Sequence, residues 1–279
     1  MKLILFTTKV DKGGRLIKKE AERMSLSCQI YFYDELVYKD GEILNLSQDP
    51  LLIKQDDKII LRDPYNSKNN YSFFAQKILK KYYNNVALDR ECYSKFPFYE
   101  DKLFQVDLFT SLGITTPDTF LGKNVSSFQE FPVIIKPRIG SRGRGILIFN
   151  KPKEMETFFA KKDPLDYLIQ KYHKAKSEYR ILIFRHKVLG VVDKHIYLKG
   201  KGKIGVRTNK VVDDFPRKIK EDSIKITKRL RADFVGIDVI HTEDGKYYFL
   251  EANLSPQFGG FAKVTKISVA SMVIRLALT

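Results

Sequence analysis

The chain has 279 residues, of which 43% are hydrophobic and 13% aromatic, and this apolar content excludes an intrinsically disordered chain. Its length predicts one large lobe or two to three small ones. Two cysteines exclude a disulfide framework or a zinc cage, and no apolar stretch reaches the roughly 18 residues of a membrane span. The opening residues also lack a signal-peptide cleavage pattern, so we expect a cytoplasmic protein with no membrane partner.

The formal net charge of +17 is the strongest bias in the composition. A lysine-rich, solvated surface accounts for it as readily as a footprint for an acidic partner does. Nucleotide phosphates, an acidic peptide or carrier protein, and nucleic acid would all fit. The charge by itself does not choose among them.

The first part of the chain alternates short apolar runs with helical spacing. Strands are predicted within 1–10 and at 29–33 and 58–62, and helices at 12–24 and 71–83. This alternation indicates a small α/β layer with at least partly parallel strands. The tripeptide DGE at 40–42 predicts a hairpin turn.

The middle of the chain predicts a helix followed by a glycine-rich hairpin. The amphipathic run 97–112 is helical in spacing and ends at Gly113. Strands at 132–137 and 146–150 enclose the turn GSRGRG at 140–145. A helix at 151–162 and a strand at 167–172 follow.

The second half predicts further antiparallel strands. Residues 179–198 indicate two strands joined by a tight basic turn at Arg185–Lys187. A helix is predicted at 221–233, and strands at 234–242 and 246–253 meet at the turn EDG. The apolar tail at 266–278 predicts a helix that packs back on the body.

The glycine-rich hairpin is a candidate phosphate site. Glycines let the backbone N–H groups of such a turn point at a ligand, and Ser141 adds a hydroxyl donor. Lys136 stands at the end of the preceding strand, where an ammonium could meet phosphates. By itself the pattern is weak, because a plain β-turn with incidental glycines is the commoner structure.

Three better-known nucleotide sites are excluded by what surrounds these glycines. A Walker loop needs G-x-x-x-x-G-K-[ST], which is absent. A dinucleotide fingerprint needs a helix after the loop, whereas a strand is predicted there. A protein kinase needs H-R-D and D-F-G, and neither occurs.

A candidate metal site lies in the last predicted hairpin. Asp238 interrupts one apolar strand, and Glu251 and Asn253 lie two apart on its partner, so those two share a face. The turn EDG brings Asp238 opposite them. Two carboxylates and an amide oxygen are hard donors that suit magnesium. The alternative is an ordinary half-exposed hairpin, but placing like charges together is costly without a cation.

Six motifs in one order carry a resemblance to a known superfamily. They are IIKPRIGSRGRGI, IQKY, EYRILIF, GVRTN, GIDVI and LEANLSP. Together they resemble the ATP-grasp superfamily, and within it they are most similar to the RimK-like carboxylate–amine ligases. The run EDKLFQVDLFTSLGITTPDTF also resembles the family's D-K helix and G-I-x-x-P segment. The resemblance spans roughly residues 95 to 260, whereas the first 90 residues share only a loose α/β character.

The resemblance implies an α/β (α+β) fold of the ATP-grasp type. A small N-terminal α/β domain would occupy residues 1–95. Residues 96–170 would form a lobe with the glycine-rich phosphate loop, and residues 171–279 a lobe with the metal-binding hairpin. The two lobes would sandwich ATP between them.

The resemblance also implies a role for each motif residue. Two lysines would bind phosphates, Lys102 and Lys136, under a flap formed by Gly140, Ser141, Gly143 and Gly145. A hinge would read adenine through its backbone, Gln170, Lys171 and Tyr172, with Glu178 as a candidate for the ribose hydroxyls. Asp238, Glu251 and Asn253 would hold magnesium, and Arg180, Arg207 and Asn209 would lie near the transferred phosphate.

The chemistry implied is phosphorylation of a carboxylate by ATP, with Mg²⁺ or alternatively Mn²⁺, and transfer of the acyl group to an amine. The carboxylate could belong to an amino acid, a peptide or an acidic carrier protein. One alternative is a maturase that forms ester or amide cross-links in an acidic precursor peptide. Another is a non-catalytic, nucleotide-switched binding module. Nucleic acid is the less expected partner, and a homo-oligomer is left open.

Overall fold

The computed structural model describes residues 1–64, 71–140, 143–199 and 203–279, with the side chains of 195–199, 203–207 and 209 outside that description. Three main sheets and eight α-helices make up the described part. The α/β class predicted from the sequence is confirmed. None of the described helices is long and apolar enough to cross a bilayer. Both cysteines are free thiols.

The N-terminal sheet consists of three parallel strands, as predicted. They are β1 (Leu3–Thr7), β2 (Cys28–Phe32) and β5 (Lys58–Leu61), in the order β2-β1-β5. Helix α1 (Lys12–Arg23) follows β1, and the Asp11 carboxylate caps it by accepting from the amides of Gly13 and Gly14. The predicted turn at 40–42 joins the hairpin β3 (Val37–Lys39) and β4 (Glu42–Leu44). Helix α2 spans Ser72–Lys81.

Two helices lead from this sheet to the second one. Helix α3 is short, Arg90–Lys95, and the sequence did not indicate it. Helix α4 spans Lys102–Ser111 and starts later than the predicted residue 97, because the Asp101 carboxylate caps it by accepting from the Leu103 amide. Gly113, with φ of +70°, follows its end as predicted.

The second sheet contains the glycine-rich hairpin. Its strands are β6 (Thr119–Phe120), β7 (Val133–Pro137), β8 (Leu147–Phe149) and β9 (Tyr167–Lys171), in the antiparallel order β6-β9-β7-β8. Helix α5 (Pro152–Phe159) covers one face through Met155 and Phe159. The predicted strand, loop, strand and helix are thus confirmed in order.

The third sheet is five-stranded and antiparallel. Its strands are β10 (Ala175–Phe184), β11 (Lys187–Lys199), β12 (Lys203–Val211), β13 (Phe234–Thr242) and β14 (Tyr247–Asn253), in the order β12-β11-β10-β13-β14. The predicted basic turn joins β10 to β11, with Arg185 and His186 at φ of +44° and +58°. Strand β12 was not predicted as a strand. Helix α6 spans Arg217–Leu230, so the predicted range of 221–233 was displaced by about one turn.

The two faces of β10 have different neighbours. Ile181 and Ile183 pack under α6 with Ile226 and Leu230 in one core cluster. The alternate residues Arg180 and Leu182 point to the opposite face, where Leu182 joins a second cluster. The functional side chains of β10 therefore lie on the side of the sheet away from α6.

The second core cluster is shared between distant parts of the sequence. Helices α7 (Gly259–Thr265) and α8 (Val269–Leu278) contribute Phe261, Val273 and Ile274. These side chains pack in the same cluster as Leu5 of β1 and Ile17 of α1. The predicted terminal helix is confirmed as α8, and it covers the N-terminal sheet.

Candidate active site

Four charged side chains form a buried cluster on the face of the third sheet that points away from α6. The Arg180 guanidinium donates from Nε and Nη2 to the two carboxylate oxygens of Asp238 at 2.5 and 2.6 Å. Lys194 of β11 lies 3.1 Å from Asp238 and also forms an ion pair with Glu178. Strand register produces this cluster, because Arg180 pairs with Asp238 across β10–β13 and Glu178 with Lys194 across β10–β11.

The cluster determines the charge of Asp238. Burial alone would raise the pKa of this carboxyl, but the Arg180 and Lys194 cations together hold it well below its usual range. The carboxylate is therefore ionised throughout the neutral pH range.

A β-bulge turns Glu251 toward this face. Asp238 pairs with Glu251, whereas Val239 pairs with Phe249, so Leu250 is an extra residue on β14. Without the bulge Glu251 would face the core together with Phe249, because residues two apart on a strand share a face. The bulge instead places Glu251 opposite Asp238, as the sequence analysis expected.

The donor chemistry of this set fits magnesium. The amide nitrogen of Asn253 donates to Glu251 Oε1 at 3.0 Å, which leaves the amide oxygen as the atom able to coordinate a cation. Asp238 and Glu251 supply the two carboxylates. Across the described ranges no group of three or more His, Cys, Asp or Glu side chains could form a metal site by itself. In the predicted set, the amide oxygen of Asn253 would be the third donor.

Gln105 of α4 holds the strand that carries two of these donors. Its amide nitrogen donates to the carbonyls of Tyr99 and Ala252 at 2.8 and 3.1 Å, and its oxygen accepts from the Ala252 amide at 2.8 Å. Ala252 lies between Glu251 and Asn253. This buried side chain therefore fixes the backbone from which both donors project.

The glycine loop and two lysines approach the same place. Lys102 Nζ donates to the Gly140 carbonyl at 2.7 Å, and the Lys102 amide donates to the Arg138 carbonyl at the end of β7. The pKa of Lys136 is lowered to about 8, chiefly by burial; the Glu251 carboxylate opposes this effect, and the Lys102 cation adds a smaller lowering. Lys102, Lys136 and Glu251 are therefore close enough to interact electrostatically. Two ammonium groups thus stand beside the candidate metal donors.

The loop backbone depends on glycine at two positions. Gly143 and Gly145 have φ of +67° and +73°, which disfavours other residues. A Cβ on Gly145 would lie 2.8 Å from Cγ of Pro137, whereas a Cβ on Gly143 would meet no atom within 4 Å. The predicted flap residue Ser141 lies outside the described residues.

The predicted adenine hinge sits where β9 leaves the second sheet. Gln170 is buried and donates to Thr119 Oγ1 at 2.8 Å. The amides of Lys171 and Tyr172 donate to the carbonyls of Asp118 and Pro132. These two backbone N–H groups already donate hydrogen bonds within the protein. Adenine would therefore have to bind to other backbone groups of the hinge. Glu178, predicted to meet the ribose, forms an ion pair with Lys194 in this structure, and its role toward the ribose stays a prediction.

For two of the residues predicted to lie near the transferred phosphate, the structure describes only the backbone. Arg207 and Asn209 belong to β12, which pairs with β11. Their side chains lie outside the described part of the structure.

Sequence reasoning missed three residues of the site. Lys194 and Gln105 occur in no recognisable motif, and only strand register and helix packing bring them in. Gly236 is the third: a Cβ there would lie 3.0 Å from Cδ of Arg180, so glycine leaves room for the arginine. The position of Gly236 two residues before Asp238 was the one available signal.

A buried ion pair ties the segment after Asn253 to the N-terminal sheet. Arg62 Nε donates to Asp11 at 2.8 Å, with the two side chains 2% and 0% exposed. The guanidinium also donates to the Pro256 carbonyl at 3.2 Å, and Gln257 Nε2 donates to Asp11 at 2.7 Å. The carboxyl edge of the N-terminal sheet thus borders the site, where open parallel sheets bind ligands.

Known ligases are similar to this chain in sequence and in fold. The glutamate–LysW ligase ArgX of Sulfolobus acidocaldarius is 24% identical over 98% of this chain and 97% of its own length. A structure of the ATP-grasp ligase PsnB with a phosphomimetic variant of its minimal precursor, Mg and ADP has a TM-score of 0.72 at 13% identity, covering 99% of this chain and 98% of that one. The D-alanine–D-alanine ligase of Bacillus anthracis complexed with ATP has a TM-score of 0.67 at 16% identity, covering 99% and 97%.

A sequence profile gives the family directly. The RimK-like ATP-grasp domain matches residues 100–277, well over half of the chain, and this family uses ATP and Mg²⁺. The resemblance noted in the motifs is therefore confirmed. The chain belongs to the RimK-like ATP-grasp family and is an ATP-dependent, ADP-forming carboxylate–amine ligase.

Proposed function

We propose that this ligase joins an amino acid to a polypeptide or carrier protein through an amide bond, using the cluster around Asp238 as its reacting centre. The observation that carries the assignment of the site is that helix α4 contacts both the glycine loop, through Lys102, and the strand of Glu251 and Asn253, through Gln105. Lys102 contacts the glycine loop, and Lys136 interacts with Glu251 across the gap. A nucleotide triphosphate needs this combination of cations and metal ligands.

The proposed roles of the nucleotide-binding residues follow from their positions. Lys102, Lys136 and the loop at 140–145 bind the phosphates, with Gly140, Ser141, Gly143 and Gly145 as the flap. Residues 170–172 hold adenine through backbone groups. Glu178, given its ion pair with Lys194, orients that lysine beside Asp238.

The proposed roles at the reacting centre concern charge. A free carboxylate is a poor electrophile, because its leaving group would be oxide. Phosphorylation gives it phosphate as a leaving group, which an amine then displaces. Arg180 stabilises negative charge on the transferred phosphoryl group and on the tetrahedral adduct, and Arg207 and Asn209 are proposed to assist it. Asp238, Glu251 and Asn253 would hold Mg²⁺, or alternatively Mn²⁺, which neutralises the phosphates and aligns them when bound.

The choice of substrate is supported by charge and by the relatives. The net charge of +17 favours an acidic macromolecule. The name of ArgX describes the ligation of glutamate to the protein LysW, and PsnB was solved with a precursor peptide. A carrier protein or peptide is therefore the first substrate class to test.

The metal site is tested by a matched pair of substitutions on one hairpin. Glu251→Gln should lower ADP release by about a hundredfold or more, because it removes a carboxylate ligand of the metal. Glu243→Gln makes the same chemical change at an exposed turn residue and should leave the rate unchanged. The assignment is wrong if Glu251→Gln and Asp238→Asn enzymes consume ATP at the normal rate with substrate present.

The substrate is tested by screening ADP release over amino acids and acidic peptides, with mass spectrometry of the products. The proposed ligase adds the mass of one amino-acid residue to a protein or peptide. A cross-linking maturase would instead remove water from a single precursor peptide. ADP release with neither product would contradict the proposed acyl transfer.

A further inference from the structure

The positive charge of the protein is concentrated in one part of the sequence. Residues 171–279 contain 23 lysines and arginines against 11 aspartates and glutamates, a net charge of +12 out of +17. The third sheet and helix α6 lie in this range. The excess is therefore not spread evenly over the surface.

The basic residues on the exposed side of α6 do not face the nucleotide site. Helix α6 packs on the face of β10 that carries Ile181 and Ile183, whereas Arg180 points to the other face. The exposed side of α6 is therefore separated from Asp238 by the sheet and the helix itself. Phosphate binding cannot account for cations in that position.

Five exposed basic side chains lie on segments that adjoin the C-terminal end of α6, and we name them the α6 basic patch: Lys95, Arg185, Lys187, Lys228 and Arg229. The Lys95 ammonium and the Arg229 guanidinium lie 5.7 and 5.8 Å from the centre of the Phe96 ring. His186 Nδ1 lies 3.0 Å from Thr227 Oγ1, so the turn carrying Arg185 and Lys187 adjoins Lys228.

The patch residues differ from the other basic residues of α6, several of which form ion pairs with acidic side chains. In the first half of the helix Arg217 pairs with Glu221 at 2.7 Å, and Lys218 and Lys225 both pair with Asp222. By contrast, none of the five patch residues forms an ion pair with any side chain in the described ranges, and Glu91, one turn before Lys95, pairs with Arg231. The negative end of the helix dipole stabilises Lys228 and Arg229 in the last turn of α6. This effect does not explain Lys187 and Lys95, because they lie on other elements.

We propose that the α6 basic patch docks an acidic segment of the polypeptide substrate, at a site separate from the reacting centre. This inference rests on the proposed polypeptide substrate. Nucleic acid fits the patch less well, because single strands bind through exposed rings on which bases stack. The ring at the centre of the patch, Phe96, is only 8% exposed and lies beneath two of the cations.

The distance between patch and reacting centre sets the length of the segment between them. Arg185, in the turn after β10, is five residues from Arg180, and five residues of extended chain span about 17 Å, a lower bound because the patch lies on the other side of the sheet. A docked substrate therefore needs at least about five extended residues between its acidic segment and its reacting group. Docking raises the effective concentration of that group at the site.

The test measures binding of a fluorescein-labelled oligoglutamate to the full chain without ATP, by fluorescence anisotropy at low salt. The triple variant Lys187→Gln, Lys228→Gln, Arg229→Gln should bind it about tenfold more weakly, since three exposed ion pairs are lost. The control triple Lys153→Gln, Lys161→Gln, Lys162→Gln removes the same charge from exposed positions in and after α5 and should bind like the wild type.

The possible outcomes separate the docking proposal from the proposed function. Equal weakening in both triple variants would mean that only net charge matters and would overturn the patch. Tighter, patch-dependent binding of an oligonucleotide of equal charge would overturn the choice of a polypeptide. If instead the patch binds as expected but no acidic peptide supports ADP release, docking stands and the proposed substrate fails.

Discussion

At the residue scale, Gln105 of α4 holds the backbone from which Glu251 and Asn253 project. Asp238 and Glu251 were predicted as metal ligands because carboxylates that interrupt apolar strands need a cation, and this stays a prediction. Gln105 looked like any polar residue of an amphipathic helix, since nothing in the sequence shows that it faces Ala252. A residue that only positions the backbone of another residue produces no recognisable pattern in the sequence around it.

Gln105→Met should therefore destabilise the protein by about 2–4 kcal/mol, because the buried amide and carbonyl of Ala252 lose their partners. It should also weaken the binding of the metal, since Ala252 separates two of its proposed ligands. Urea unfolding and magnesium titration of ATP turnover measure the two effects.

The control for this prediction is Asp107→Asn, an exposed position on the same helix, which should change neither quantity. A Gln105→Met protein that loses stability but keeps its magnesium dependence would limit Gln105 to a purely structural role.

At the element scale, the order of strands and helices was largely predictable from hydrophobic period and glycine positions. Strand β12 was missed because the segment of which it is part, KGKIGVRTNK, has glycines and charges where a strand usually alternates. The β-bulge at Leu250 was missed as well, since an extra residue changes no composition. Yet that bulge decides which face Glu251 occupies.

The glycine loop permits a comparison of two similar substitutions. Gly143→Ala should weaken ATP binding only about threefold, because it adds left-handed backbone strain in open space. Gly145→Ala should weaken it about tenfold or more, because the same strain is combined with an overlap with Pro137. Calorimetric titration with a non-hydrolysable nucleotide measures both.

Equal effects at the two glycines would contradict this explanation. They would mean that backbone strain alone, and not the contact with the Pro137 ring, determines the shape of the loop.

At the scale of the whole molecule, the sequence predicted the class of fold but not how its parts are joined. The contact between Asp89 and Asp233 is an example. The Asp233 and Phe234 amides donate to Asp89 at 2.6 and 3.1 Å, and the Asp89 amide donates to Asp233 at 2.9 Å. The two residues are 144 positions apart, so no local pattern could pair them.

This pair should make stability depend on pH. Burial, and then the Asp233 charge, raise the pKa of Asp89 to about 8. Between about pH 4 and this value the folded state holds a proton that the unfolded state has released, so stability falls as pH rises. Asp89→Asn should flatten the fall, because the amide keeps an acceptor oxygen and carries no charge.

Urea unfolding at a series of pH values measures this slope. Glu91→Gln, an exposed change nearby, should keep the slope of the wild type. Glu100, whose pKa burial also raises to about 8, contributes alike to both proteins. An unchanged slope in Asp89→Asn would show that Asp89 is already ionised in the folded state.

The shared core has a consequence for the synthesis of the protein. Leu5 of β1 packs in one cluster with Val273 and Ile274 of α8, and Arg62 binds the carbonyl of Pro256. Helix α1 can cover part of this face early, but the strand cannot bury it fully until α8 has been translated. At about 5–20 residues per second that interval is about 15–55 s. During this time an apolar strand stays open to chaperones, and a premature stop before α8 should yield a chain that is degraded.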